Sequence, residues 1–489
     1  MKLLFCVHLP LLRLEALRPC WSEPGAYAVL EHDVVTALSG EAARAGVRPG
    51  MRGGGVSAVA PATRLLARDP DQEQRCLGAI AMALLQYSPE VAHADHACLV
   101  LDVSASLRLF KGPRALCRLV RRSVGALGFS AQLGVAPTAH GAWLLAKNGR
   151  RPRALLRRRT LSLPSLAARL DALPCHLLAA AAPHQVWLAG IGANDIGALR
   201  RLPRAGLQRR TSAALLAELD RAYGHSAEMF EWIKVPLQFS ERIETFDRVE
   251  RADALLHGAA HLLCQLVGWL NARQRAVRRF VLLLEHERGR DAIAPTVLEI
   301  VLAEPAWQES HLLRLLKERL AKLALCAPVI ALRLEARQVE PMLPANASLF
   351  PEPGGSVQDY HRLLELLTAR LGPDNVLSPA MAQDYRPEVC NAWQPVHQRR
   401  ARADGEPILS GRPFWLLPKP IALLVRAERP FYGSALKLVS GPERLEAGWW
   451  DEQSAARDYY VGQGADGACY WIYLERARDA RWYLHGLYA

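Results

Sequence analysis

Asp102 ends the apolar run Cys98-Leu99-Val100-Leu101, the setting of a buried strand that carries a carboxylate. Carboxylates on strands serve phosphoryl and nucleotidyl transfer, but only in clusters, because two metal ions roughly 3.5–4 Å apart must be held. Asp102 has no acidic neighbour on its run, so whether a cluster forms depends on carboxylates elsewhere in the chain. His93, Asp95 and His96 lie just upstream and have the donor types a transition metal accepts. They fall in a polar stretch before the strand, where solvated His and Asp are common. If residues 95–96 are extended, Asp95 and His96 point to opposite faces, so no metal site is expected. A third cluster is Gly190-Ile191-Gly192 followed by Arg200, Arg201, Arg204, Arg209 and Arg210. A tight Gly turn before a helix lets backbone N–H groups approach a phosphate, and the arginines would extend the contact without reading sequence. An ordinary helix–helix corner is the competing explanation of the turn.

The elements that must position these groups follow from periodicity. KLLFCVHL reads as a buried opening strand, residues 34–45 as a helix ending at Gly46, and GVRPGM as a turn. Residues 70–87 have helical spacing and an acidic first turn after Asp69. The strand ACLVLDVS, a helix through 114–126, the strand FSAQLGVA and a helix from Thr138 follow. This alternation predicts an α/β or α+β domain over about the first 150 residues. Residues 147–159 hold seven basic residues, a solvated connector or a phosphate-facing patch. Short helices fill 163–233, and mixed strands and helices return at 240–335. Residues 338–356 are Pro- and Gly-rich and read as a linker, followed by one helix and a Pro-rich stretch to about 420. The last 70 residues are rich in aromatics and Gly and read as strands and turns.

Composition narrows the function class. A chain of 489 residues suggests several domains. Lys and Arg total 61 against 48 Asp and Glu, a formal charge of +13 dominated by Arg. That surplus favours a polyanionic partner, nucleic acid first, although an Arg-rich composition from base usage would look the same. The ten Cys include no CxxC pair, which argues against a zinc ribbon or thioredoxin-type site and for reduced core thiols. The N-terminal apolar stretch is interrupted by His8, Arg13 and Glu15, unlike a signal peptide, and no apolar run is long enough to span a bilayer. A cytoplasmic protein with no membrane partner is expected.

Taken in order, GVRPGM (46–51), LDVSASLRLFKG (101–112), GVAPTAHGAWLLAK (134–147), GIG (190–192) and a closing domain from about 238 resemble the Y-family translesion DNA polymerases. GPERLEAGWW (441–450), RDYY (457–460) and WYLHGLY (482–488) are similar to the divergent ImuB branch of that family, found in bacterial mutagenesis cassettes. The resemblance implies an α+β multidomain fold: palm and fingers over 1–160 (fingers about 11–75), a helical thumb with a helix–hairpin–helix over 161–234, and a little finger over 235–337. A linker with a clamp-binding peptide and a helix would occupy 338–420, and a mainly β partner domain 421–489.

The resemblance also places what is missing. Active family members carry an Asp-x-Asp pair on the first strand, where this chain reads Phe5 to Pro10 with Val7 at a ligand position. Their adjacent Asp-Glu pair falls here on Ala97 and Cys98, and Asp102 matches a later Asp that holds no metal. Ala and Cys do not replace hard oxygen ligands for Mg²⁺. The Tyr and Arg that hold an incoming nucleotide correspond to Gly40 and Ala43. The implied protein is not an enzyme, binds no cofactor, and contacts primer–template DNA through Gly190, Gly192, Arg200, Arg201 and Arg204. Asn346-Ala347-Ser348-Leu349-Phe350 resembles the peptide by which replication proteins bind the sliding clamp, with Leu349 and Phe350 filling an apolar pocket. Asn for Gln and Ala for Leu are departures that predict weaker binding. Trp449, Trp450, Tyr459, Tyr460, Trp471, Trp482 and Tyr483 read as a small β core, in the region where the resemblance places two partners, ImuA and an error-prone DnaE-type polymerase. Two other readings stay open: an active translesion polymerase with carboxylates in another register, and a general helix–hairpin–helix DNA-binding protein.

Overall fold

The structure is a computed structural model that describes residues 2–20, 22, 24–94, 97–148, 158–287, 293–342, 357–381, 384–396, 411–450, 454–476 and 480–488. The opening apolar run forms β1 (Leu4–His8), whose first four residues are wholly buried, as expected of a strand covered on both faces. A short helix α1 (Leu12–Glu15) leads into a small sheet of β2 (Tyr27–Glu31), β3 (Val34–Leu38) and β4 (Arg64–Ala67), ordered β3-β2-β4. Residues 34–45, expected as one helix, divide here. The β-branched Val34-Val35-Thr36 pairs with β2, and Ser39 then caps α2 (Gly40–Arg44), accepting the Ala42 N–H at 3.2 Å. Helix α3 (Gly53–Val59) completes this module.

Helix α4 (Pro70–Leu84) begins at the Asp69 cap with Pro70 in its first turn. Next come β5 (Val91–Ala94), β6 (Cys98–Asp102), α5 (Pro113–Ala126), β7 (Gln132–Ala136) and α6 (Ala139–Lys147), capped by Thr138. The sheet order is β5-β6-β1-β7, with β1 central and antiparallel to both neighbours. A Cβ at Gly134 would sit 1.9 Å from the Ala142 carbonyl oxygen, so α6 lies directly on β7. Helices α7 (Leu163–Leu170), α8 (Gln185–Gly190), α9 (Ile196–Arg201), α10 (Arg204–Arg210) and α11 (Ala213–Tyr223) share one core with α6 through Ala142, Trp143, Leu166, Leu188, Leu199 and Leu215.

A second sheet follows: β8 (Ser240–Val249), β9 (Arg275–His286), β10 (Thr296–Ala306) and β11 (Val329–Pro341), ordered β10-β9-β11-β8. Helices α12 (Leu256–Ala272) and α13 (Glu309–Ala321) pack against it. Helix α12 also crosses α4, with Gly268 against Met82, and His261 bonds to the Leu127 backbone; burial pushes the His261 imidazole down to about 4. Helix α14 (Val357–Leu371) covers edge strand β10: Glu365 accepts the Ala303 N–H at 2.7 Å and pairs with His311 at 2.7 Å.

The chain divides into two compact units, Met1–Leu366 and Leu367–Ala489. The second unit starts well before 421, the expected start of a C-terminal domain. Its first part is the hairpin of β12 (Leu377–Met381) and β13 (Asn391–Pro395) with α15 (Pro387–Cys390). Pro379 and Pro395 of the Pro-rich stretch sit in these two strands, which pair only with each other among the described residues and so leave room for residues without an N–H. Then come β14 (Trp415–Ala422), the small sheet β15 (Leu424–Arg426), β16 (Arg429–Tyr432) and β17 (Ser434–Ala435), and β18 (Lys437–Ala447), β19 (Ala455–Gln463), β20 (Cys469–Glu475) and β21 (Trp482–Leu487). The main sheet runs β14-β21-β20-β19-β18. None of the ten cysteines is in a disulfide, and among the described residues no helix is long and apolar enough to cross a membrane.

Candidate functional site

The register of the first sheet decides what its centre can do. His8 lies opposite Cys98, Val7 opposite Leu99 and Cys6 opposite Val100. Side chains alternate along a strand, so Cys6, His8 and Cys98 share one face while Val7 points to the other. The expected ligand positions Val7 and Cys98 therefore diverge in this register, and both are wholly buried. Ala97 sits in the turn before β6 with φ of 58°, a left-handed conformation. None of the three offers a hard oxygen.

What stands at the centre instead is a sulfur–imidazole group that the sequence reading passed over. Cys98 Sγ lies 3.3 Å from His8 Nδ1. Hydrogen bonding from Cys6, then the His8 contact, holds the Cys98 thiol below its usual range, while burial pushes Cys6 up. The signal available in the sequence was the i, i+2 spacing of Cys6 and His8 on a strand. Asp102, the residue after the buried core of β6, accepts the Ser104 N–H at 2.9 Å and its hydroxyl at 2.5 Å, a turn-closing role. His93 is exposed; Asp95 and His96 lie outside the described residues. Among the described residues no group of three or more His, Cys, Asp or Glu is arranged to hold a metal ion. Gly40 and Ala43 are exposed on α2 and have no side chain able to reach a triphosphate.

The α8–α9 corner carries the expected DNA residues. Gly192 has φ of 75°, which favours glycine, and nothing lies near the Cβ position of Gly190 or Gly192. The turn's amides are already used: Ile191 N–H bonds Trp187, Gly192 bonds Ala189, and Ala193 bonds Leu188. At the start of α9, Ile196 bonds the Leu173 carbonyl, Gly197 the Asp171 carbonyl, and Ala198 the Asp195 carboxylate. The arginines divide into two groups. Arg200 pairs with Asp171 at 2.9 Å and lies over the Tyr223 ring, and Arg204 pairs with Asp220 at 2.7 Å. Arg201, Arg209 and Arg210 are exposed, with no ion-pair partner among the described residues. Charge rather than backbone amides is therefore what this corner has to offer a phosphate.

The outer face of the second sheet is close to charge-balanced. Arg242 bridges Glu244 and Glu285, Arg333 joins Glu285, Arg337 pairs with Glu335, and Arg279 with Glu299. The clamp-type peptide 346–350 lies outside the described residues, between β11 and α14. In the C-terminal unit Tyr459 and Trp471 are buried and stacked with ring centroids 4.0 Å apart. Tyr460, Trp482 and Tyr483 are half-buried against the same sheet, whereas Trp449 and Trp450 are exposed.

Residues 20–147 match the impB/mucB/samB family. Protein ImuB of Caulobacter vibrioides (strain NA1000 / CB15N) is 26% identical over 477 residues, 91% of this chain and 100% of that protein. The same figures hold for Protein ImuB of Caulobacter vibrioides (strain ATCC 19089 / CIP 103742 / CB 15). Among solved structures, an insertion ternary complex of Dbh DNA polymerase aligns with a TM-score of 0.40 and 13% identity, covering 69% of this chain and 99% of that one. A Dbh ternary complex with partially disordered substrates gives 0.39 and 14%, covering 68% and 98%.

Proposed function

We propose, from the premise that this chain is an ImuB-like relative of the Y-family DNA polymerases, that it is a non-catalytic adaptor in DNA-damage-induced mutagenesis. In this reading the protein is cytoplasmic and belongs to the SOS response. It binds primer–template DNA without sequence preference, holds the sliding clamp through Asn346–Phe350, and brings in ImuA and an error-prone DnaE-type polymerase that performs the synthesis. The first sheet module with α1–α6 corresponds to palm and fingers, α7–α11 to the thumb, the second sheet to the little finger, and the C-terminal sheet to the partner-docking region.

The observation that carries the reading is the centre of the first sheet. Val7, Ala97 and Cys98 stand where metal-binding carboxylates would be needed, and apolar packing with a buried thiol fills the place. A sheet buried on both faces keeps its fold without those carboxylates, which is what a scaffold retains after losing chemistry. The +13 charge supports a nucleic-acid partner.

Retention on immobilised sliding clamp tests the adaptor claim. Changing both Leu349 and Phe350 to Ala removes two anchors, each worth about 2 kcal/mol if they act as hot spots, so binding should weaken on the order of 1,000-fold if the two act independently. Retention equal to wild type would remove clamp binding through this peptide.

A further inference from the structure

Arg114, Arg118, Arg121 and Arg122 occupy positions i, i+4, i+7 and i+8 of α5, so they lie along one side of a 14-residue helix. The opposite side, Leu116, Cys117, Val120, Ser123 and Val124, is buried. The arginines are thereby forced outward, and all four are exposed. None has an ion-pair partner among the described residues, in contrast to Arg68, Arg200, Arg204, Arg242 and Arg333, each of which is paired.

Arg122 is the partial exception. It faces Glu309 at the start of α13, whose carboxyl is pushed up by burial and drawn down by the Arg122 charge. Arg114, Arg118 and Arg121 are left uncompensated, and two more exposed cations, Arg108 and Lys111, lie in the turn before the helix. Arg121 also lies near Arg158, which is held below its usual range first by burial and second by the Arg121 charge. Like charges at helical spacing cost stability, by a few tenths of a kcal/mol per pair in water.

The row fits a phosphate backbone better than a protein. From Arg114 to Arg121 it spans about 10 Å at a rise of about 1.5 Å per residue. A DNA duplex presents one charge per about 1.7 Å of axis, so that length faces roughly six charges. Protein interfaces are anchored by buried apolar and aromatic side chains, and α5 exposes no large hydrophobic residue.

We propose that the solvent face of α5, through Arg114, Arg118 and Arg121, is a DNA-backbone contact on the first sheet module, separate from the α8–α9 corner. It rests on the proposed role as a DNA-binding adaptor and says where the chain grips the duplex. The contact reads no bases and adds affinity that salt erodes.

The test is fluorescence anisotropy with a duplex primer–template between 50 and 200 mM salt, values chosen to span the steep range of such binding. The proteins are the full chain, the Arg114→Ala/Arg118→Ala/Arg121→Ala variant and the corresponding Lys variant. Losing three phosphate contacts should make the slope of log affinity against log salt shallower by about 2.7, so the gap to wild type changes by roughly 40-fold over that range. The Lys variant should keep a slope near wild type. Ala at exposed helix sites favours folding, so melting temperatures should stay close together. If wild type binds and the Ala variant matches its affinity and slope, the α5 contact is wrong while DNA binding stands. If the Ala variant binds DNA as wild type does but loses retention on polyglutamate, the row serves an acidic protein and the proposal is also wrong. Absence of DNA binding by wild type would overturn the adaptor reading and this contact together.

Discussion

Gly268→Ala tests how the second sheet module is held to the first. A Cβ at residue 268 of α12 would lie 1.9 Å from the Met82 carbonyl oxygen, 2.8 Å from its carbon and 3.0 Å from Ala83 Cα. Every one of these is a backbone atom of α4, so no side chain can turn away. Ordinary contact begins near 3.4 Å, and the helices must part by about 1.5 Å to accept the methyl group. Parting loosens a core that includes Ile80 and Leu84 on α4 and Leu266 and Leu270 on α12. Overpacking of this kind costs about 1–3 kcal/mol, against a gain of up to about 1 kcal/mol from replacing glycine inside a helix. The sign is therefore diagnostic. Thermal unfolding should show a loss of about 1–2 kcal/mol, and hydrogen exchange should show weaker protection in both α4 and α12. A raised melting temperature would mean that α12 behaves as a free helix face and that the two modules are not docked here.

Two further outcomes follow from a buried histidine and a half-buried carboxylate. His261 has its folded pKa depressed to about 4 by burial, against an ordinary 6.5, so the folded state takes up its proton late. Its contribution is complete above about pH 6.5 and is lost as pH falls toward 4; denaturant melts should show a loss approaching about 3 kcal/mol, removed in His261→Leu. Asp171 accepts from the Tyr223 hydroxyl at 2.6 Å and from Arg200 at 2.9 Å, so Asp171→Ala should cost about 1–3 kcal/mol without lowering DNA affinity. An affinity loss with stability unchanged would show that Asp171 organises the DNA contact rather than the helical core.

Local signals were the readable ones. The strand KLLFCVHL, the helices after Asp69 and from Thr138 and the helix over 114–126 are written in a few neighbouring residues each, and they form as expected. Residues 34–38 failed because a β-branched segment long enough for one strand was merged with the helix after Ser39. The partners of Arg200 and Arg204 were invisible because Asp171 and Asp220 lie 29 and 16 residues away. The sulfur–imidazole group likewise joins residues 90 apart, and only the β1–β6 register brings them together. The α5 row stands at helical spacing in the sequence, but which of its charges lack partners depends on the fold and not on spacing.

The central claim is a polymerase-like body without polymerase chemistry. Primer extension by the purified full chain, with Mg²⁺ and then Mn²⁺ and with DNA binding measured on the same preparation, tests it directly. The account expects bound primer–template and no incorporated nucleotide. Incorporation that survives rigorous purification would contradict it, and would mean that carboxylates other than those sought at Val7, Ala97 and Cys98 hold the metals.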